Sequence, residues 1–394
     1  MRLPVLPVII LLCTGILVDY AICRRLSKPA HKKALRIAYI AVSAVVTAAM
    51  VIVALWPKKG ASEHNFGILM WSMFTYLSVY IPKYFFAIAC LIQKIFSKLL
   101  RRACRGIAIG GAGVAIITFV AMWWGALFTR FNIDVRDVDI EIENLPEAFC
   151  GYRIVQISDI HTGTYLGNPH FLQKVVEKIN ALQPDIILFT GDIVNRHSDE
   201  LIPFIPTLSA LHAPDGVWSI MGNHDYGEYY RWPSESDRLA DVERLKKMQG
   251  NMGWNMLNNS HTVLRRGNDS IVVVGVENIG DPPFTTYGNL RKAYPSLSDS
   301  TTKILMTHNP AHWTDSIADH PDVNVALTLS GHTHAMQIRI LGWSPADLRY
   351  RTWGGLYADS LDHKLYVNIG IGEVGFPSRI GATPEITLIT LKKQ

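Results

Sequence analysis

Cysteine is scarce in this chain, five residues in 394, and only Cys150 lies beyond residue 129. No intramolecular disulfide can therefore form within residues 130–394, and Cys150 reads as a small buried hydrophobe or a bystander. Acidic residues are just as unevenly missing. Residues 1–129 hold only Asp19 and Glu63 against 15 Lys and Arg, a net +13, and the whole-chain charge of +5 then leaves −8 for residues 130–394. A half with net negative charge lacks the broad basic footprint of a nuclease, so no nucleic-acid partner is expected beyond what a local groove would take. Internal repeats and low-complexity segments are absent too.

What fills the first 129 residues is apolar. Four stretches, about Leu3 to Ile22, Ala34 to Trp56, Phe66 to Ile92 and Ile107 to Phe128, each approach the roughly 20 residues a spanning helix needs. They are apolar on every face and separated by short basic loops, which favours spans over buried core helices. The first stretch has the alternative of a cleaved signal peptide after Arg2, but its length, Asp19 and the lack of a small-x-small site favour retention. The loop Cys23–Arg36 holds six basic residues (Arg24, Arg25, Lys28, Lys32, Lys33, Arg36) and Gln93–Gly106 holds five (Lys94, Lys98, Arg101, Arg102, Arg105), whereas Trp56–Asn65 has only Lys58 and Lys59 beside Glu63. The two richer loops are expected in the cytoplasm, which puts the second half outside the cytoplasmic membrane. Pro82-Lys83 makes the third stretch a suspect for re-entrance, and Lys83 itself reads either as functional or as snorkelling to an interface.

Beyond residue 129, short apolar runs end in polar blocks. Arg153–Ile157 leads to Asp159, Asp185–Phe189 to Asp192, Val217–Met221 to Asn223, Lys303–Met306 to His308 and Val323–Leu329 to His332. Each reads as a buried strand delivering polar residues at its C-terminal end. Asn168-Pro169 opens a helix with Phe171, Leu172, Val175, Val176 and Ile179 on one face, and a second helix is expected over Ser236–Gln249. Ser260 to Val276 reads as a hairpin turning at Gly267-Asn268. Strands alternating with helices give an α/β class, with a transmembrane region at 1–129, a linker and first strand at 130–150, and one large domain at 151–394.

Five blocks carry the chemistry: Asp159-Ile160-His161, Gly191-Asp192, Gly222-Asn223-His224-Asp225, His308 and Gly331-His332-Thr333-His334. A pair of divalent ions about 3.5–4 Å apart needs a bridging carboxylate with imidazole and oxygen ligands around it, and this is that inventory. One H-x-H would mean little, since a buried His is more often structural; five blocks in register are another matter. Their order resembles the calcineurin-like metallophosphoesterases, D-x-H, G-D, G-N-H-[DE], His, G-H-x-H, over roughly residues 150–394.

That resemblance implies a two-sheet sandwich flanked by helices and a two-metal site. Asp192 would bridge, with two oxygens to offer; Asp159, His161 and His334 would complete one site, and Asn223, His308 and His332 the other. Mn, Fe and Zn all suit these ligands. A bridging water, as hydroxide, would be the nucleophile. His224 would lie by the leaving group, stabilising charge or donating a proton. Asp225 reads either as orienting an imidazole or as capping the loop. His170, His197, His212, His261, His312, His320 and His363 match no position of the pattern, although His197 and His312 are close enough in sequence to reach the pocket.

Trp218, Tyr226, Tyr229, Tyr230 and Trp232 crowd the N-H-D block, where they would either shape an apolar entrance or pack the core and loops. A hydrolase tethered by four spans is expected to act on a phospholipid or lipid-linked phosphoester, with membrane lipids as partners. Two other readings stand beside it: a UDP-2,3-diacylglucosamine-type pyrophosphate hydrolase of lipid A synthesis, and a non-enzymatic metal-binding sensor or scaffold.

Overall fold

The structure is a computed structural model and describes residues 5–26, 33–55, 63–101, 103–282 and 285–394. Leu3, Trp56 and five of the basic loop residues, Lys28, Lys32, Lys58, Lys59 and Arg102, lie outside the described residues. The chain divides into two units, Met1–Phe128 with Gly375–Ser378, and Thr129–Val374 with Arg379–Gln394.

The first unit is built on α1 (Val5–Leu26), α2 (Lys33–Leu55), α3 (Glu63–Leu99) and α4 (Arg105–Leu127). All four are long and apolar enough to cross a membrane. The suspected re-entrance of the third stretch is not found: α3 continues through Pro82 as one helix. Lys83 does not snorkel either. Its Nζ lies 2.9 Å from Asp19 Oδ1 on α1 and 2.7 Å from Ser43 Oγ on α2, and its side chain is 12% exposed. The Tyr39 and Tyr80 hydroxyls also donate to the Asp19 carboxylate. A charge in an apolar bundle is costly unless paired, so this network ties α1, α2 and α3 at one level.

The second unit holds two six-stranded mixed sheets. One contains β1 (Asp134–Ile142), β2 (Arg153–Ile157), β3 (Ile186–Phe189), β4 (Val217–Ser219), β5 (Trp254–Met256) and β12 (Glu385–Lys393), in the order β1-β12-β2-β3-β4-β5. The other contains β6 (Ser260–Arg266), β7 (Asp269–Gly275), β8 (Lys303–Met306), β9 (Leu327–Ser330), β10 (Gly355–Ala358) and β11 (Lys364–Val367), in the order β10-β11-β9-β8-β7-β6. Successive residues of a strand point to opposite faces. Ile186 and Leu188 of β3 accordingly join a core with Ile304, Met306, Leu327 and Leu329 of the second sheet, while Ile187 and Phe189 join one with α5 (His170–Ala181). Strands buried on both faces are apolar at every position, which is why these runs read as continuous.

The expected helix at Asn168-Pro169 is α5, with Phe171, Leu172, Val175, Val176 and Ile179 buried. After the short α6 (Ile205–Leu208), α7 covers Glu235–Asn251 and starts earlier than expected, because Ser234 Oγ accepts the Asp237 amide and caps it. The run from Val323 enters the sheet only at Leu327; the Val323 and Asn324 amides bond instead to the carbonyls of His320 and Leu297.

Candidate metal centre

β2, β3 and β4 of one sheet and β8 and β9 of the other each end one to three residues before a motif block. The backbone there bends sharply. Asp159, His161, Asp192, His332 and His334 all take left-handed φ values, between 49° and 73°. Such conformations cost non-glycine residues about 1–3 kcal/mol each and persist where the surroundings enforce them, as at functional sites. Two glycines show how close the loops come: a Cβ on Gly222 would strike the Asp192 carboxylate, and one on Gly331 would strike Ser158 and Asp159.

The ligand atoms gather in overlapping groups, Asp159–His161–His334, His161–Asp192–His224 and Asp192–His308–His332, with the atoms of each within 4.8 Å of one another. Each carboxylate keeps one oxygen on a backbone amide. Asp192 Oδ1 accepts from His224 N at 2.8 Å and Asp159 Oδ2 from His332 N at 2.9 Å. The other oxygen of each faces imidazoles: Asp192 Oδ2 lies 3.1 Å from His308 Nε2 and 3.6 Å from His161 Nε2, and Asp159 Oδ1 lies 3.2 Å from His334 Nε2.

The donor chemistry fits cations. His308 Nδ1 faces the Thr190 carbonyl at 2.8 Å and must donate to it, so the lone pair of the neutral ring is on Nε2. That nitrogen faces two more acceptors, Asn223 Oδ1 at 3.0 Å and Asp192 Oδ2. His161 repeats the pattern, with Nδ1 on the Val194 carbonyl at 3.1 Å and Nε2 turned inward. Asp159 Oδ1 is buried without a hydrogen-bond donor. Converging lone pairs of this kind are satisfied by divalent metal ions.

Electrostatics point the same way. Burial would raise the Asp192 and Asp159 carboxyls, yet the imidazoles around them, led by His308 and His334 respectively, hold both below the usual carboxylate range. Burial depresses His308, but Asp192 outweighs it and lifts the ring to about 9, so the position Nε2 faces favours a cation, a proton or a metal ion in its place. His332 is lowered to about 4 by burial and by His308.

His224 is placed apart by its hydrogen bond. Its Nδ1 lies 2.7 Å from the Asn195 carbonyl, and burial pushes its pKa down. Glu200 holds that loop, accepting from Asn195 N at 2.6 Å and Arg196 N at 3.0 Å. The partner that orients His224 is thus a carbonyl, and Asp225 takes the second of its two readings. The buried Asp225 carboxylate instead accepts from the Asp192, Ile193 and Gly222 amides at 2.8–2.9 Å, capping the loop. Burial and the charge of Asp192 raise it to about 7.

Several contributors carry no motif. Tyr229 stacks on His224 at 4.1 Å and 16°, and its hydroxyl takes the Asn223 amide at 2.9 Å. Tyr350 donates to Asp281 at 2.7 Å and receives His332 Nε2 at 3.0 Å, which leaves His332 Nδ1 facing Asn223 Oδ1. Tyr226 stacks on Tyr287, while Tyr230 and Trp232 pack on each other. Trp218 packs beside the inter-sheet core. Neither His197, against Tyr230, nor His312, against Thr307, enters the ligand groups.

A model of the calcineurin-like phosphoesterases matches residues 152–336, and a model of a probable calcineurin-like phosphoesterase transmembrane domain matches residues 1–130. A Danio rerio transmembrane protein with metallophosphoesterase domain is 32% identical over 81% of this chain and 73% of its own length. The metallophosphoesterase YkuE of Bacillus subtilis is 32% identical over 66% of this chain and 86% of its own. The UDP-2,3-diacylglucosamine pyrophosphatase LpxG of Chlamydia trachomatis is 30% identical over 62% and 86%.

Proposed function

The chain belongs to the calcineurin-like metallophosphoesterases, and from that membership we propose a membrane-bound hydrolase of a phospholipid or lipid-linked phosphoester that uses two divalent ions. The observation that carries the two-ion reading is the position of Asp192 Oδ2, facing His308 of one ligand group and His161 of the other. Oδ1 accepts the His224 amide, which positions the Asp192 carboxylate that would serve both ligand groups. When bound, the ions would supply Lewis acidity and an activated water.

The chain's own residues do the rest. Asp159, His161 and His334 would hold one ion, and Asn223, His308 and His332 the other. Hydrogen bonds to the Thr190 and Val194 carbonyls and to Tyr350 fix the tautomers of His308, His161 and His332. His224, anchored at Nδ1 on the Asn195 carbonyl, would donate from Nε2 to the departing oxygen once a proton taken up there makes it the imidazolium. Asp225 holds the loop on which both Asp192 and His224 depend.

The Chlamydia relative favours a second reading, a nucleotide-lipid pyrophosphate as substrate. The test is the full chain in lipid vesicles, assayed against phospholipids, a lipid pyrophosphate and an aryl phosphodiester. Hydrolysis that requires added metal, with Asp192→Asn lowering both bound metal and rate by more than the roughly 10- to 100-fold that outer partners cost, is the expected result. Full activity after stripping of metal would overturn it.

A further inference from the structure

Ten residues beyond the last metal ligand, Ser344 turns inward, while the segment before it projects from the domain. Ile340 and Trp343 exchange backbone hydrogen bonds of 2.8 and 3.0 Å around Leu341-Gly342, a two-residue hairpin tip. Both central residues have positive φ, 50° at Leu341 and 85° at Gly342. Turns of this mirror-image kind favour Asn-Gly or Asp-Gly, and a leucine at the first position is strained. Leu341 gains nothing from the fold in exchange, being 103% exposed.

Its neighbours share the exposure. Trp343 is 49% and Leu348 82% exposed, and Ile340 and Met336 are exposed too. The same segment is firmly held from within: Ser344 Oγ donates to the Ala335 carbonyl, Ala346 is fully buried, and Arg339 N bonds to Ile380. A mobile loop is therefore not the reason these side chains face out. Arg339, Arg349 and Arg351 flank the tip in sequence, with Asp347 the one acid in residues 339–351 and Asp281 paired to Arg349 at 3.2 Å. The net charge of that segment is +2.

The geometry points to Met336–Leu348 as a bilayer-docking tip, with Leu341, Trp343 and Leu348 seated in the lipid headgroup region and the arginines on anionic phosphates. Exposed leucine and tryptophan rimmed by arginine is the composition of a membrane interface. The four spans keep every copy of the chain at a bilayer, which singles out lipid as the occupant over a soluble partner. The tip adjoins the metal centre: Met336 is two residues from His334, and Tyr350, two from Leu348, bonds to His332. Docked lipid phosphoesters would then lie beside the ligand groups. Only that last step rests on the lipid-substrate reading above.

The test places p-benzoylphenylalanine at position 341 of the full chain, in vesicles of equimolar phosphatidylcholine and phosphatidylglycerol, with a control at Leu239 on α7, 50% exposed. Irradiation should leave a phospholipid-mass adduct on the peptide containing position 341 and none at 239. No adduct at 341, equal adducts at both, or a cross-link to a second copy overturns the docking. Leu341→Asn supplies a second readout, since Asn-Gly suits the turn and the thermal midpoint should not fall. Its ratio of vesicle-lipid to soluble aryl-diester hydrolysis should drop about tenfold, the equivalent of about 1.4 kcal/mol of lost burial; an unchanged ratio counts against the tip. An adduct without lipid hydrolysis leaves the docking standing and sinks the lipid substrate. Lipid hydrolysis without an adduct does the reverse.

Discussion

Asn223 and Tyr229 are joined by a hydrogen bond of 2.9 Å from amide Nδ2 to phenolic oxygen, and the same ring lies nearly parallel to His224. One side chain thereby sets the amide so that Oδ1 faces His308 and His332, and fixes the plane of the neighbouring imidazole.

Tyr229→Phe keeps the stack and removes the bond. Metal affinity should fall by something near the 10- to 100-fold of outer-partner substitutions, measured by metal analysis during dialysis, with kcat at saturating metal little changed. Tyr229→Leu should lower kcat as well, because the imidazole loses its support. Equal effects from the two variants would show that the hydroxyl does not orient the amide.

His224→Ala should lower kcat about 10²- to 10⁴-fold while bound metal stays near normal. A substrate with a very good leaving group should suffer much less. Loss of metal in this variant would mean that His224 is a ligand, as its place in the group with His161 and Asp192 permits.

Stability should depend on His312, which is outside the ligand groups. Burial lowers this imidazole from 6.5 to about 4, and it is held neutral against Thr307 Oγ1 at 3.0 Å. Because the folded value lies below the unfolded one, the unfolded chain binds the extra proton. The stability is thus fully present above about pH 6.5 and falls as the pH drops toward 4, by about 3 kcal/mol in all. His312→Gln should flatten the urea midpoint over that window relative to the unsubstituted chain. Parallel curves would exclude His312 as the titrating group.

Sidedness follows from six and five basic residues in the first and third loops against two in the middle one. A reporter fused after Gln394 should behave as exported, and protease added to intact cells should remove the catalytic half. Digestion only after lysis would place that half in the cytoplasm and make the nucleotide-lipid pyrophosphate the preferred substrate.

The motif blocks were readable because each ligand follows its own strand within a few residues, so local pattern carries the information. Lys83 was not readable, since its partner Asp19 is 64 positions away on another helix. The same holds for Asn195, Tyr350 and Asp281, which reach the ligands only through the folded loops. Asp225 was readable as a residue but not as a role: whether a buried carboxylate meets an imidazole or backbone amides is decided by loop curvature, and here the amides of Asp192, Ile193 and Gly222 converge on it. Strand β12 had no motif to announce it, and its place between β1 and β2 depends on pairing across some 240 residues.

That placement fixes an order of events during synthesis. β12 pairs with Asp134–Ile142 on one side and with Arg153–Gln156 on the other, so β1 and β2 have no shared neighbour until it emerges from the ribosome. The spans, the ligand-bearing loops and the whole second sheet are translated first. A nascent chain stalled before Glu385 should be at the membrane already yet lack the strand that joins β1 to β2.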